Sequence, residues 1–193
     1  MSAVIILAST SPYRRALLER LALPFEVMAP EVDETPFPGA DAERTALRLA
    51  EAKARAVTPT ARGKLVIGSD QIAEVAGEQL GKPGDHPSAV RQLRFLRGRC
   101  VVFHTALCLY NAGLDRIQLA NVPTTVTFRD LTDEEIERYL RREEPYDCAG
   151  SARVEGLGIA LVERVMSDDP TALIGLPLMQ LVTMLRNEGV KVL

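Results

Sequence analysis

An α/β fold is predicted by three stretches of the chain. Val4 to Leu7 is an apolar run that reads as a strand and passes through Ala8-Ser9-Thr10-Ser11 to Pro12, where a helix should begin. Ala42 to Val57 is rich in Ala, Leu, Arg and Glu, and puts Ala46, Leu49, Ala50 and Lys53 on one helical face. Leu65, Val66 and Ile67 form a dense, largely β-branched run that reads as a buried strand broken by Gly68 and Ser69, with Asp70 arriving where the strand ends. At 193 residues, 47% hydrophobic and 25% charged, the chain has the proportions of one globular domain over residues 1–193, a single α/β unit with room for two lobes around a cleft.

The first helix has a favoured N-cap in Ser11, Pro12 at a position whose missing N–H costs nothing, and a stripe of Ala16, Leu17, Leu18 and Leu21 to bury. Phe25 to Met28 reads as a strand, and Glu31, Asp33 and Glu34 carry acidic charge into a Pro-rich loop ending near Gly39. Beyond Asp70, the residues Ile72 to Val75 read as a return strand turning at Gly77, followed by the loop Gly81-Lys82-Pro83-Gly84. Pro87 to Leu96 is a helix stopped by Gly98. Cys100 to Tyr110 and Gln118 to Phe128 make a long hairpin around Asn111-Ala112-Gly113. Thr132 and Glu135 form a capping box, Ile159 to Val162 reads as a strand, and a last helix runs from Pro177 through Leu185 to Gly189.

A net charge of -3 provides no global basic field, so duplex nucleic acid is not an expected partner and any anion site must be local. The apolar start is short and lacks a basic leader, which points to a cytoplasmic protein with no membrane partner. Cys100, Cys108 and Cys148 are odd in number and without C-x-x-C spacing, so they are expected to be buried, inert thiols.

The chemistry-bearing residues gather around two places. A strand, a polar loop and a helix N-terminus present unpaired N–H groups, and Arg14 and Arg15 add cations where they oppose the helix dipole. An anion bound there, phosphate above all, would offset that cost; the alternative is two solvated arginines. Asp70 is either a turn cap or a carboxylate at a sheet rim, where ligands collect. Lys53 either snorkels from its apolar face or projects into a cleft. Lys82 is a loop cation near a ligand or a plain surface turn, and Glu155 is a base-reading carboxylate or a solvated one. His104 reads as a packed strand residue. No G-x-x-x-x-G-K-[ST] or G-x-G-x-x-G motif is present. From the residues alone, the reading is a metal-assisted hydrolase of phosphate esters or anhydrides.

The segments Leu7-Ala8-Ser9-Thr10-Ser11-Pro12-Tyr13-Arg14-Arg15, Val32-Asp33-Glu34-Thr35, Glu51-Ala52-Lys53-Ala54, Gly68-Ser69-Asp70-Gln71, Gly81-Lys82-Pro83, Cys148-Ala149-Gly150-Ser151, Glu155-Gly156 and Gly175-Leu176-Pro177-Leu178 resemble, in order and spacing, the motifs of the Maf family. The resemblance covers nearly the whole chain. It implies an inosine triphosphatase-like fold with a single mixed sheet, two lobes and a nucleotide cleft. It also implies a nucleotide pyrophosphatase that uses a divalent cation, Mg²⁺ or Mn²⁺. By resemblance, Asp70 is the catalytic base or metal-linked carboxylate with Glu34 as its metal-binding companion, and Ser9, Arg14, Arg15, Lys53 and Lys82 hold the triphosphate. The Ser69-Asp70-Gln71 triplet resembles the subgroup acting on 7-methyl-GTP, whose substrate choice is associated with the positions of Tyr13, Gln71 and Glu155. Stacking of Tyr13 on a cationic methylated purine is physically sensible. The open alternatives are a dTTP/UTP pyrophosphatase, an inosine triphosphatase-like enzyme, and a nucleotide-binding regulator of cell division. The expected partner is a modified nucleoside triphosphate, with a homodimer left open.

Overall fold

Strand β1 (Ile5–Ala8) organises the first half of the chain. It pairs in parallel with β2 (Phe25–Met28) on one side and with β3 (Leu65–Val75) on the other, setting Ile5 opposite both Phe25 and Leu65 and Ala8 opposite Gly68. The computed structural model describes residues 4–35, 41–57 and 63–193; the Pro-rich stretch toward Gly39 lies outside them. Strand β4 (Glu78–Leu80) folds back antiparallel on β3, and β5 (Cys100–Asn111), β6 (Arg116–Phe128) and β7 (Val162–Ser167) complete one mixed sheet of seven strands. Its order is β2-β1-β3-β5-β6-β7, with β4 on β3 and β7 antiparallel to β6. Among the described residues, five α-helices accompany it: α1 (Pro12–Glu19), α2 (Ala42–Ala56), α3 (His86–Leu96), α4 (Asp133–Glu143) and α5 (Leu178–Asn187). Among the described residues, no helix is long and apolar enough to cross a membrane.

The chain divides into two compact units. The first comprises Met1–Gln71, Thr105–Val122 and Asp169–Leu193; the second comprises Ile72–His104 and Pro123–Asp168. Strands β3, β5 and β6 each contribute to both. In the first unit, Ile5, Leu7 and Ile67 from the strands are closed over by Leu17 and Leu18 of α1 and by Leu181 and Leu185 of α5. Helix α2 lies close on β3 because position 68 is glycine. A Cβ there would overlap the Ala50 carbonyl oxygen and crowd the Ala54 amide nitrogen. In the second unit, α3 buries Leu93 and Leu96, α4 buries Ile136 and Leu140, and Arg94 forks onto Asp133 at 2.8 and 3.0 Å between the two helices.

Several expectations need correction. Gly68 and Ser69 do not end the third strand: β3 runs through them, so Asp70 is a mid-strand residue, and Ile72 to Val75 continue the same strand. Gly68 is tolerated there because α2 fills the space its missing side chain leaves, and the Ser69 hydroxyl is satisfied by backbone carbonyls 2.8 and 2.9 Å away. Ile159 lies in a short 3₁₀ turn, Leu157–Leu161, and the strand begins only at Val162. Ala16 is exposed rather than part of the buried stripe of α1. Cys108 is buried and its thiol is pushed up to about 12 by desolvation, but Cys100 is exposed and Cys148 only partly covered.

Candidate active site

Helix α1 starts as its sequence predicts. Ser11 is the N-cap, its hydroxyl accepting from Arg14 N, and Pro12 opens the first turn. Ser9, just beyond β1, is buried, and its Oγ accepts from Ser11 N at 3.2 Å and from Arg14 Nη1 at 3.4 Å. Arg14 also donates from Nε to the Gly175 carbonyl at 2.8 Å. Desolvation lowers its pKa, and the carboxylates of Asp70 and Glu34 oppose that shift. The neighbouring Arg15 faces elsewhere, since successive helical residues are about 100° apart. Its side chain is 64% exposed and paired with Glu19 at 3.0 Å. Tyr13 is partly exposed in the same turn.

The centre of the site is an ion cluster built from α2 and β3. Lys53 Nζ sits 2.6 Å from Asp70 Oδ1 and 2.7 Å from Glu34 Oε1. Lys53 and Asp70 keep only 8% and 11% of their side-chain surface, so their charges are taken out of bulk water and depend on each other, whereas Glu34 is 61% exposed. The close approach of α2 to β3 at Gly68, two residues before Asp70, lets the lysine reach the strand. Lys53 therefore does not snorkel. Lys53 engages Oδ1 of Asp70, and no other bond to this carboxylate occurs among the described residues, which leaves Oδ2 for a water or a cation. No group of three or more His, Cys, Asp or Glu side chains placed to hold a metal occurs among the described residues. Two carboxylates still suit a hard cation such as Mg²⁺, which keeps several waters and completes its shell with substrate phosphates.

A loop that the sequence did not mark as structural steadies these residues. Gln71 Nε2 lies 2.9 Å from Thr105 Oγ1 and 3.0 and 3.1 Å from the carbonyls of Leu173 and Ala172. Thr105 Oγ1 also donates to Ala172 O, and Gly175 O accepts from both Arg14 and Ser69. The amide protons of Gln71 are thus committed to this loop, and only its Oε1 could read a base. Gly175 makes the turn with φ of +116°, a conformation that side chains disfavour. The Gly175-Leu176-Pro177-Leu178 motif was the one signal that could have found this loop. Asp169, Thr171 and Thr105 had none.

Two remaining candidates belong to the second unit. Lys82 is exposed in the segment between β4 and α3. Glu155 lies 3.9 Å from Arg153, whose Nε is 3.1 Å from Glu143. Burial raises the Glu155 pKa, and Glu143 and Asp147 add to the rise against Arg153 and a backbone hydrogen bond.

The family model described as "Maf-like protein" matches residues 4–188. The chain belongs to this family. A 7-methyl-GTP pyrophosphatase of Ralstonia nicotianae is 61% identical over 183 residues, covering 95% of this chain and 94% of that protein. The protein of the same name from Thiobacillus denitrificans is 60% identical over 192 residues, 100% of this chain and 96% of its own length. That of Methylobacillus flagellatus is 58% identical and covers 98% of both. Among solved structures, the Staphylococcus aureus Ham1 protein matches 66% of this chain and 72% of its own, at 18% identity and a TM-score of 0.46. In this Maf-like protein, Ser9 and Arg14 form one linked pair and Glu34, Lys53 and Asp70 another group, with Arg14 sensing both carboxylates.

Proposed function

We propose that this Maf-like protein hydrolyses 7-methyl-GTP to 7-methyl-GMP and pyrophosphate. The observation that carries the reading is Asp70, a nearly buried carboxylate held by Lys53 with Arg14 close enough to interact. The names of the relatives, 58–61% identical over almost the full chain, support the substrate. In the reaction the α–β anhydride bond breaks, water supplies the new oxygen on the monophosphate, and pyrophosphate leaves. Asp70 Oδ2 takes the proton of the attacking water. Arg14 and Lys53 stabilise negative charge on the phosphates, more in the transition state than before it. Ser9 orients a terminal phosphate beside Arg14, while Arg15 adds charge from an exposed position. Glu34 and Asp70 would hold Mg²⁺ or Mn²⁺, whose chemistry when bound is to neutralise phosphate charge. Tyr13 and Gln71, the latter through Oε1, recognise the methylated base.

The test is pyrophosphate release from 7-methyl-GTP, GTP, dTTP, UTP, CTP and ITP with Mg²⁺, for the wild type beside Asp70→Asn. The expected result is a preference for 7-methyl-GTP and a fall of about 10²- to 10⁴-fold in the variant, the contribution typical of a positioned base. Preference for dTTP or UTP would replace the substrate and keep the chemistry. Nucleotide binding with no release would point instead to a regulator.

A further inference from the structure

We propose that Lys53 is an exchangeable counter-ion: it bridges Glu34 and Asp70 in the ligand-free site and gives up both carboxylates for a phosphate oxygen when cation and nucleotide enter. The inference rests on the proposed pyrophosphatase reading and extends it to the order of events. One ammonium touches both carboxylates, at 2.7 and 2.6 Å, so Lys53 occupies the position between them that a divalent cation would need. With Arg14 interacting with the same two carboxylates, the four groups balance to zero net charge.

Only one of the two basic groups is free to move. Arg14 is pinned by the Gly175 carbonyl and by Ser9, whereas Lys53 Nζ is held, among the described residues, by the two carboxylates themselves. Its ammonium sits on a flexible four-carbon stem, suited to swinging between partners. Glu34, at 61% exposed, is the side from which the exchange can start. Until then, the lysine keeps Asp70 from being a buried charge without a partner.

The experiment uses the intact wild-type protein and Mn²⁺ alone as the probe. The chain has four lysines, Lys53, Lys64, Lys82 and Lys191, so reductive methylation of each can be followed by peptide mass spectrometry. Lys53 is expected to react slowly without Mn²⁺ and several-fold faster once Mn²⁺ binding, followed by electron paramagnetic resonance, is saturated; Lys191 should not change. In parallel, Lys53→Met should bind Mn²⁺ about ten-fold more tightly than wild type, because the competing charge is gone. Unchanged Lys53 reactivity with Mn²⁺ bound, equal or weaker binding by Lys53→Met, or no Mn²⁺ binding to either protein would each overturn the exchange. A protein that fails here but releases pyrophosphate loses only the exchange, and one that releases none loses the proposed function.

Discussion

At the scale of the residue, a nearly buried carboxylate and ammonium 2.6 Å apart are costly to separate. Breaking such a pair by removing one partner typically costs about 3–5 kcal/mol, since the other charge stays out of water. Lys53→Met should therefore lower stability by about 3 kcal/mol, and Lys53→Met with Asp70→Asn should lower it by less than the two single changes added together. Urea unfolding of the four proteins checks this; strict additivity would show that the pair is not coupled. The face of α2 that carries Lys53 was legible in the sequence, because Ala46, Leu49 and Ala50 fix it by spacing and all three are buried. Its partners were not, for Asp70 is 17 residues away and the pairing depends on how α2 lies on β3. Arg14 and Arg15 show the same limit. Their sequence context is nearly identical, but one turns inward to Gly175 and Ser9 and the other outward to Glu19.

At the scale of the element, the helix starts divide into those signalled locally and those made by tertiary contact. Ser11 on α1 and the Thr132–Glu135 capping box on α4 sit next to the helices they cap and were readable. Helix α5 has no such neighbour: its N-cap is Pro177, and Asp169 caps it from a distance. Asp169 Oδ2 accepts from Met179 N at 2.7 Å, and Oδ1 accepts from Thr171, whose Oγ1 in turn accepts from Leu178 N at 2.8 Å. Asp169→Ala should cost about 2 kcal/mol, the upper end for a cap, because the residue is only 2% exposed and leaves buried N–H groups unmet. Asp85→Ala, at the exposed cap of α3, should cost only about 1 kcal/mol. Thermal unfolding of both variants tests the difference, and equal losses would refute the distant cap. The misread strand break at Gly68 has the same origin. Propensity marks Gly and Ser as punctuation, but only the packing of α2 explains why a strand needs them there.

At the scale of the whole molecule, Glu188 ties together the ends of three elements. Its carboxylate accepts from Asn111 at the end of β5, from Arg116 and Gln118 on β6, and it directly follows α5; its side chain is 3% exposed. Burial pushes the Glu188 carboxyl up, but the bonds from Arg116, Asn111 and Gln118 outweigh it and hold it below 4.5, the ordinary value. A depressed folded-state pKa means stability that is whole above 4.5 and is lost as pH falls through the folded value. Glu188→Gln should thus be less stable than wild type at pH 7, with the gap closing in acid. Chemical unfolding at several pH values measures it, and a gap that stays constant down to acid would exclude the linkage.

The sequence gives good access to the order of strands and helices, but not to the division into two units, since β3, β5 and β6 look uniform along their length and each serves both. The first unit draws its core from Ile5 and Leu7 near one end of the chain and from Leu181 and Leu185 near the other. During synthesis from the N-terminus, those first strand residues emerge from the ribosome more than 150 residues before the leucines that cover them. The nascent chain must therefore carry an incompletely covered apolar surface while the intervening residues are made, a span in which chaperones have something to hold.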